Sequence, residues 1–491
     1  MNIAFVVSES VPFAKTGGLA DVAGTLPGAV KGYGHDVRVC MPKYAQVSAA
    51  GLHLKKMQFK LSVPVGSKKI IAAVWQGRMR HDVPVYFIEQ ESYFDREYLY
   101  GAPEGDYPDN DERFIFFNRA ALELFYALKF KPDIIHCHDW QTGLIPAYLK
   151  SAYIHAAFYA RTSSVFTIHN IAYQGLFEKN SLLKAGLSWN LFSMEGLEYY
   201  DKISFLKAGI VYADFITTVS PTYAHEIQTS REYGFGLEGV LKTHAKKMAG
   251  ILNGIDYEEW NPQKDACIAE TFDPPNNYEG KKRCKEDIQK IFNLQVSEKI
   301  PLFGIVSRLA SQKGLDILTS ILSIILRENI QLVILGTGDI SYHQLLKKYA
   351  QAYTNVFGIA LKFDNQTAHK IYAGSDFFLM PSHYEPCGLG QMIAMRYGAI
   401  PIVMKTGGLT DTVIDYESHP HKGNGVVFNR YEPMALVGAI LRAMRYWNHP
   451  VDKKHILNHM SSANFTWENS AKQYCGLYAN IRKNQKISTR I

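Results

Sequence analysis

Cysteine is scarce and scattered in this 491-residue chain. Its six cysteines, Cys40, Cys137, Cys267, Cys284, Cys387 and Cys475, show no CxxC spacing. That excludes a disulfide framework and a zinc knuckle and suits a reducing compartment. Long apolar runs are missing too: no stretch approaches the ~18 residues that span a bilayer, so no membrane partner is expected. Charge of one sign is also lacking. Lys and Arg number 53 against 46 Asp and Glu, a net +7, and Lys281-Lys282-Arg283 is the basic cluster that stands out. This balance speaks against nucleic acid as a partner. The first residues carry no basic segment and meet Glu9, so they read as a strand and not as a secretory signal. A soluble protein of the cytoplasm is the expectation.

What is present is an ordinary globular composition, 47% hydrophobic and 20% charged, which excludes a disordered chain. At roughly 150 residues per domain, the length predicts two or three domains. Short apolar runs at Ile3–Val7, Asp36–Cys40, Ile134–Cys137, Val165–His169 and Phe215–Val219 predict buried strands, and the pattern resumes at Leu302–Val306, Leu332–Leu335, Phe377–Met380 and Ile400–Val403. Helices are predicted at Glu112–Leu128, Gly314–Leu326, Tyr342–Ala350, Gly388–Tyr397 and Glu468–Ile481. Such alternation predicts an α/β protein with parallel sheets covered on both faces. The turn at Asn253-Gly254 marks the predicted break. Two doubly wound, Rossmann-like domains, 1–252 and 253–460, would then face each other across a cleft, followed by a last helix and basic tail in 461–491. In such sheets ligands sit beyond the carboxyl ends of the strands.

One octapeptide recurs with two of its eight residues changed. Lys15-Thr16-Gly17-Gly18-Leu19-Ala20-Asp21-Val22 returns as Lys405-Thr406-Gly407-Gly408-Leu409-Thr410-Asp411-Thr412, each copy between a predicted strand and a predicted helix. Paired glycines admit an anion close to backbone N–H groups, and the helix dipole adds to the attraction. Either copy alone reads as an ordinary glycine turn; two copies in two domains favour phosphate binding. Arg308 and Lys313 follow the strand that ends near Ser307 and are suited to neutralising a diphosphate. Glu385 stands just ahead of a predicted helix N-terminus, in reach of sugar or ribose hydroxyls. No histidine or asparagine is placed to activate Cys387 as a nucleophile.

His136, His138 and Asp139 invite a metal, but residues i and i+2 of a strand share a face that Asp139 leaves, so no metal is expected. A polar sugar pocket around Asp139 and His169 fits better, with His136 and His138 as core histidines. Rings gather in Tyr93–Tyr107 and in Phe114–Phe117; any that are exposed suit stacking on sugars, but most read as core, the second group especially.

Together these motifs resemble bacterial glycogen synthases and plant starch synthases. The resemblance runs from Val6 to about Tyr478. It is carried by Lys15–Val22, His138-Asp139-Trp140-Gln141, Ile168-His169-Asn170, Asn253-Gly254-Ile255-Asp256, Ser307-Arg308-Leu309 with Gln312-Lys313-Gly314, Glu385-Pro386-Cys387-Gly388-Leu389 and Thr406-Gly407-Gly408-Leu409. It implies a retaining glucosyltransferase of the two-domain GT-B fold that moves glucose from ADP-glucose to the non-reducing end of an α-1,4-glucan, glycogen or starch. It further implies no cofactor and no metal, and a last helix that crosses back to the N-terminal domain. Lys15, Gly17 and Gly18 would contact the donor, and Arg308 and Lys313 its diphosphate. Glu385 and His169 would lie at the transferred glucose with Asp139 and Asn253. Cys387, Gly388, Leu389, Thr406, Gly407 and Gly408 complete the implied donor site, and Asp21, Tyr93 and Asp139 the acceptor side. A plastid stroma is the alternative location.

Two positions depart from the family pattern. Gly390 stands where members usually carry Ser or Thr, and Met404 where the segment usually contains Arg. These departures keep open a preference for UDP-glucose. A catalytically silent glucan-binding relative is the reading from another class, opposed by the retained Lys15, Arg308, Lys313 and Glu385. Oligomeric state is not read from the sequence.

Overall fold

Runs of buried aliphatic residues leave little choice but extended chain flanked by helices, and each run predicted as a strand forms one, while the parallel strands Val83–Glu89, Met248–Gly250, Phe357–Ala360 and Val426–Phe428 are additions to the expectation. The computed structural model describes residues 1–49, 53–102 and 105–488; residues 489–491 of the basic tail lie outside the described residues. The chain divides into two units, Met1–Gly254 with Trp467–Ile491, and Ile255–Thr466. The predicted terminal segment began at 461, but residues 461–466 stay with the second unit. Ile255 pairs in a β-bridge with Thr466, so entry to and exit from that unit lie side by side.

The first unit is built on a nine-stranded sheet. Its strands are β1 (Asn2–Val6), β2 (Asp36–Pro42), β3 (Lys55–Val65), β4 (Lys68–Met79), β5 (Val83–Glu89), β6 (Ile134–His138), β7 (Ser163–Ile168), β8 (Phe215–Thr218) and β9 (Met248–Gly250), in the order β9-β8-β7-β6-β1-β2-β5-β4-β3. β1 lies parallel between β2 and β6, with Ile3 opposite both Val37 and Ile134. β3 and β4 pair antiparallel, and β4 runs antiparallel to β5. This hairpin edge is absent from the sequence expectation. Its alternation of exposed lysines with buried apolar residues marks a sheet face open to water, a weaker signal than a fully buried run.

Helix α1 (Gly18–Gly32) follows the first glycine pair. Helix α2 (Asn110–Ala127) is buried along most of its length, including Phe114, Ile115, Phe116 and Phe117 as predicted. It also buries Arg113, whose guanidinium donates to the carbonyls of Tyr93 and Leu99 and to Asn110 Oδ1, so the charge enters the core with a partner for each of its three nitrogens.

The second unit carries a six-stranded parallel sheet. Its strands are β10 (Leu302–Val306), β11 (Gln331–Leu335), β12 (Phe357–Ala360), β13 (Phe377–Met380), β14 (Ile400–Met404) and β15 (Val426–Phe428), in the order β12-β11-β10-β13-β14-β15. Helix α3 (Leu315–Ile325) contributes Leu315, Leu318, Ile321 and Leu322 to one continuous apolar core with the strands. Helices α4 (Gly390–Arg396) and α5 (Gly407–Thr412) follow β13 and β14. The final helix α6 (Trp467–Ser488) belongs to the first unit, where Tyr478 OH meets His136 Nδ1 at 2.8 Å and the helix packs beside α1. Among the described residues no helix is long and apolar enough to cross a membrane.

Candidate active site

Each sheet contains one place where the strand order reverses. In the first unit the chain winds outward from β1 through β2 and later restarts at β6 on the other side of β1. In the second it winds outward from β10 and restarts at β13. Loops leaving two such neighbouring strands diverge and open a crevice at their carboxyl ends. The loops after β1, β6, β10 and β13 carry Lys15, Asp139, Arg308 with Lys313, and Glu385 respectively.

In the first unit, Lys15 Nζ pairs with Asp21 Oδ1 at 2.6 Å. Gly17 caps α1 in extended backbone. A Cβ at Gly18 would meet nothing within 4 Å, and one at Gly17 would make only an ordinary contact with Glu9. The packing therefore leaves both positions free to carry a side chain, and a glycine pair here suits close approach by a ligand. Glu9, which the sequence reading used only as evidence against a signal segment, organises this loop. Its buried Oε2 accepts both the N–H and the hydroxyl of Thr16 at 2.6 Å. Burial pushes its carboxyl up to about 7, against the pull of those bonds.

Asp139 sits at the end of β6 with φ 56°, a left-handed conformation that non-glycine residues seldom adopt. Its Oδ1 accepts the backbone N–H of His169 at 2.7 Å, which joins the ends of β6 and β7. Burial raises its carboxyl to about 7 and lowers His169 to about 3. His169 Nε2 faces His138 Nδ1 at 3.0 Å. Asn253 is buried, with its Oδ1 unpaired among the described residues.

In the second unit, Lys313 Nζ meets Glu385 Oε2 at 2.6 Å, and Ser382 Oγ donates to the same oxygen at 3.0 Å. Arg308 is exposed and reaches Gln312 Oε1 at 3.2 Å. Lys313 can take this position because Gly314 follows it at φ 76°, with its Cα so near the Pro381 carbonyl that a Cβ would lie 2.0 Å from that oxygen. The motif at 385–389 and the glycine pair at 407–408 touch. Gly408 N donates to Glu385 O at 3.1 Å, and a Cβ on Gly408 would fall 2.2 Å from Cys387 O. Gln391, unremarked in the sequence, locks them by donating from Nε2 to the carbonyls of Cys387 and Gly388 and to Thr412 Oγ1. The two copies of the octapeptide thus differ. The first has glycines that its surroundings do not demand, whereas Gly408 is demanded by backbone packing.

The chain is similar to known proteins over nearly all its length. Residues 2–243 match the starch synthase catalytic domain and residues 286–455 match glycosyl transferases group 1. A glycogen synthase of Geotalea daltonii is 47% identical over 97% of this chain and 98% of its own, and one of Syntrophotalea carbinolica is 46% identical over the same shares. The chain belongs to the glycogen and starch synthase family. The catalytic domain of starch synthase IV from Arabidopsis thaliana, in a structure bound to ADP and acarbose, superposes with a TM-score of 0.90 at 33% identity, covering 98% of this chain and 99% of that one. A sucrose-phosphate synthase from Thermosynechococcus elongatus shares the fold at 18% identity and a TM-score of 0.58, over 98% of each chain. The chain is therefore a glycosyltransferase with the GT-B fold and the function of a glycogen or starch synthase.

Within that family, three positions stand differently from the expectation. Tyr93 is buried and its hydroxyl bonds Glu112 Oε1 at 2.6 Å, so its ring packs in the core against Phe116 and offers no face to a sugar. Met404 is part of the apolar core of the second unit. At Gly390 a Cβ would lie 3.1 to 3.3 Å from Phe378, the Tyr372 hydroxyl and Met380 sulfur, so these side chains crowd the space that a Ser or Thr would need. As for metal ligands, Asp265, Cys267 and His369 cluster among the described residues. The Asp265 oxygens there are taken by His369 Nδ1, Tyr397 OH and the Cys267 N–H.

Two predictions follow from these packings. Gly390→Thr overpacks its pocket and lowers stability by about 1–3 kcal/mol in denaturant unfolding, with no gain in transfer rate. A stable variant with faster transfer would contradict this. Glu9 keeps its proton in the folded chain up to about pH 7, whereas the unfolded carboxyl loses it near 4.5, so raising pH through that window favours the unfolded state. Glu9→Gln, which has no proton to lose, gains stability relative to the parent by on the order of 2–3 kcal/mol between pH 5 and pH 8. An equal stability gap at the two pH values would overturn the burial argument.

Proposed function

We propose that the donor is ADP-glucose and the acceptor an α-1,4-glucan, glycogen or starch, extended at its non-reducing end with retention, by an enzyme of the cytoplasm. The observation that carries this reading is the Lys313–Glu385 pair where the strand order reverses in the second unit, in a chain 47% identical to a glycogen synthase. The ADP and acarbose bound by the Arabidopsis relative support a nucleotide diphosphate and a glucan-like ligand.

In this reading Arg308 and Lys313 hold the diphosphate and stabilise the charge it gains on leaving, which assigns the neutralising work to side chains and needs no metal or cofactor. The backbones of Cys387, Gly388 and Leu389 and of Thr406, Gly407 and Gly408 line the donor, and Glu385 takes sugar hydroxyls. Lys15 with Gly17 and Gly18 is the first unit's contribution to donor binding. His169 and Asn253 contact the transferred glucose, and Asp21 and Asp139 serve the acceptor side. No residue is assigned as a nucleophile behind the anomeric carbon. The reaction runs on one face, with the departing phosphate taking the acceptor proton, so the protein contributes position and electrostatics.

Transfer of labelled glucose to glycogen tests this with both donors. The expected result is a higher kcat/KM for ADP-glucose than for UDP-glucose, and a loss on the order of 10²-fold in Lys313→Ala and in Arg308→Ala. A clear preference for UDP-glucose would overturn the donor assignment. Glucan binding without transfer from either donor would favour the silent relative, and activity within a few-fold of the parent in both variants would contradict the roles given to the two cations.

A further inference from the structure

His136 and His138 were the histidines that the sequence left without a task. Both are buried, and their ring centroids lie 4.2 Å apart. His136 is fully bonded: Nδ1 meets Tyr478 OH at 2.8 Å and Nε2 meets Thr167 Oγ1 at 2.6 Å. His138 is not. Its Nδ1 faces His169 Nε2 at 3.0 Å, while its own Nε2 is buried without a hydrogen-bond partner among the described residues. Phe5 covers the His138 ring, with centroids 5.8 Å apart.

Two neutral imidazoles joined nitrogen to nitrogen share one hydrogen, and there are two ways to place it. If His169 carries it on Nε2, then the proton of His138 must sit on Nε2, an orphaned buried donor. If His138 carries it on Nδ1, then Nε2 is a bare acceptor, the less costly of the two, because orphaned buried donors are the rarer case in folded proteins. We propose that His138 is a positioning residue that donates from Nδ1 and so fixes His169 as the tautomer protonated on Nδ1, making His169 a hydrogen-bond donor to its ligand. Burial holds both rings below their ordinary pKa, so each is neutral at physiological pH and the tautomer is a defined property.

The consequence for catalysis rests on the reading that His169 contacts the transferred glucose. There an Nδ1–H would donate to a sugar oxygen, while Asp139 holds the backbone N–H of the same residue. The pair Asp139 and His138 would then orient His169 from two sides, one through its main chain and one through its ring.

Long-range ¹H–¹⁵N spectra of the histidine-labelled full-length protein, assigned against His169→Gln, test the tautomer directly. The expected pattern for His169 is a protonated Nδ1 and a bare Nε2. His138→Asn keeps a donor near the Nδ1 position, and should leave both that pattern and kcat/KM within a few-fold of the parent. His138→Asp presents an acceptor instead, and should move the His169 proton to Nε2 and lower kcat/KM by about tenfold, the worth of one hydrogen bond. A wild-type spectrum with His169 protonated on Nε2, or on both nitrogens, overturns the proposal without need of any variant. So does a His138→Asp spectrum in which the proton stays on Nδ1. If the proton moves as expected and transfer is unchanged, the tautomer assignment stands and the placement of His169 at the glucose fails.

Discussion

The ion pair between Lys313 and Glu385 is the interaction on which the second unit's proposed chemistry depends. It spans the two loops that diverge from β10 and β13, and both partners lie largely out of water, Glu385 at 5% exposure. Burying two charges costs desolvation that their attraction barely offsets, so such a pair is weak support for the fold. Its effect is to hold both groups in place. Removing either one would strand the other. In the proposed reading, a diphosphate arriving beside the ammonium competes with the carboxylate for it, which would tie donor binding to the freedom of Glu385 to engage the sugar. The neighbouring structure serves that geometry: Gly314 lets the chain turn against Pro381, and Gly408 lies against Cys387 where a side chain would not fit.

The first unit solves the opposite electrostatic problem. Among the described residues its buried carboxyls, Glu9 and Asp139, have no ion-pair partner and are held by hydrogen-bond donors instead, the N–H and hydroxyl of Thr16 for one and the N–H of His169 for the other. Burial wins over those bonds, and both carboxyls titrate near neutrality. The available cation, Lys15, is committed to Asp21 on the surface. The second unit thus pairs a cation with a carboxylate, whereas the buried carboxyls of the first are held by uncharged donors.

Much of this was legible in sequence because the information is local. A fully buried parallel strand is a short apolar run bounded by turn residues, and each predicted run became a strand with its ends moved by a residue or two. The residues after those strands were the ones to examine, since strand ends are where a doubly wound sheet exposes its loops. What escaped is what depends on distant partners. Nothing near Glu9 announces that Thr16 will close on it, and Gln391 looks like any helix residue until Cys387 and Thr412 surround it. Tyr93 reads as an exposed ring in an aromatic stretch, yet Glu112 draws its hydroxyl inward. Gly390 reads as a lost hydroxyl, whereas Phe378, Tyr372 and Met380 make it a matter of space. The hairpin of β3 and β4 escaped for another reason: its half-exposed alternation carries less apolar signal than the parallel core.

Calorimetric titration with ADP tests the central claim most directly, comparing the parent protein with Lys313→Ala and Glu385→Gln. If the ammonium binds the diphosphate in competition with the carboxylate, then Lys313→Ala loses affinity by on the order of tenfold or more. Glu385→Gln, which frees the ammonium, then binds ADP as tightly as the parent or better. Equal affinity in the parent and Lys313→Ala, or a loss of ADP binding in Glu385→Gln as large as that in Lys313→Ala, would contradict the account.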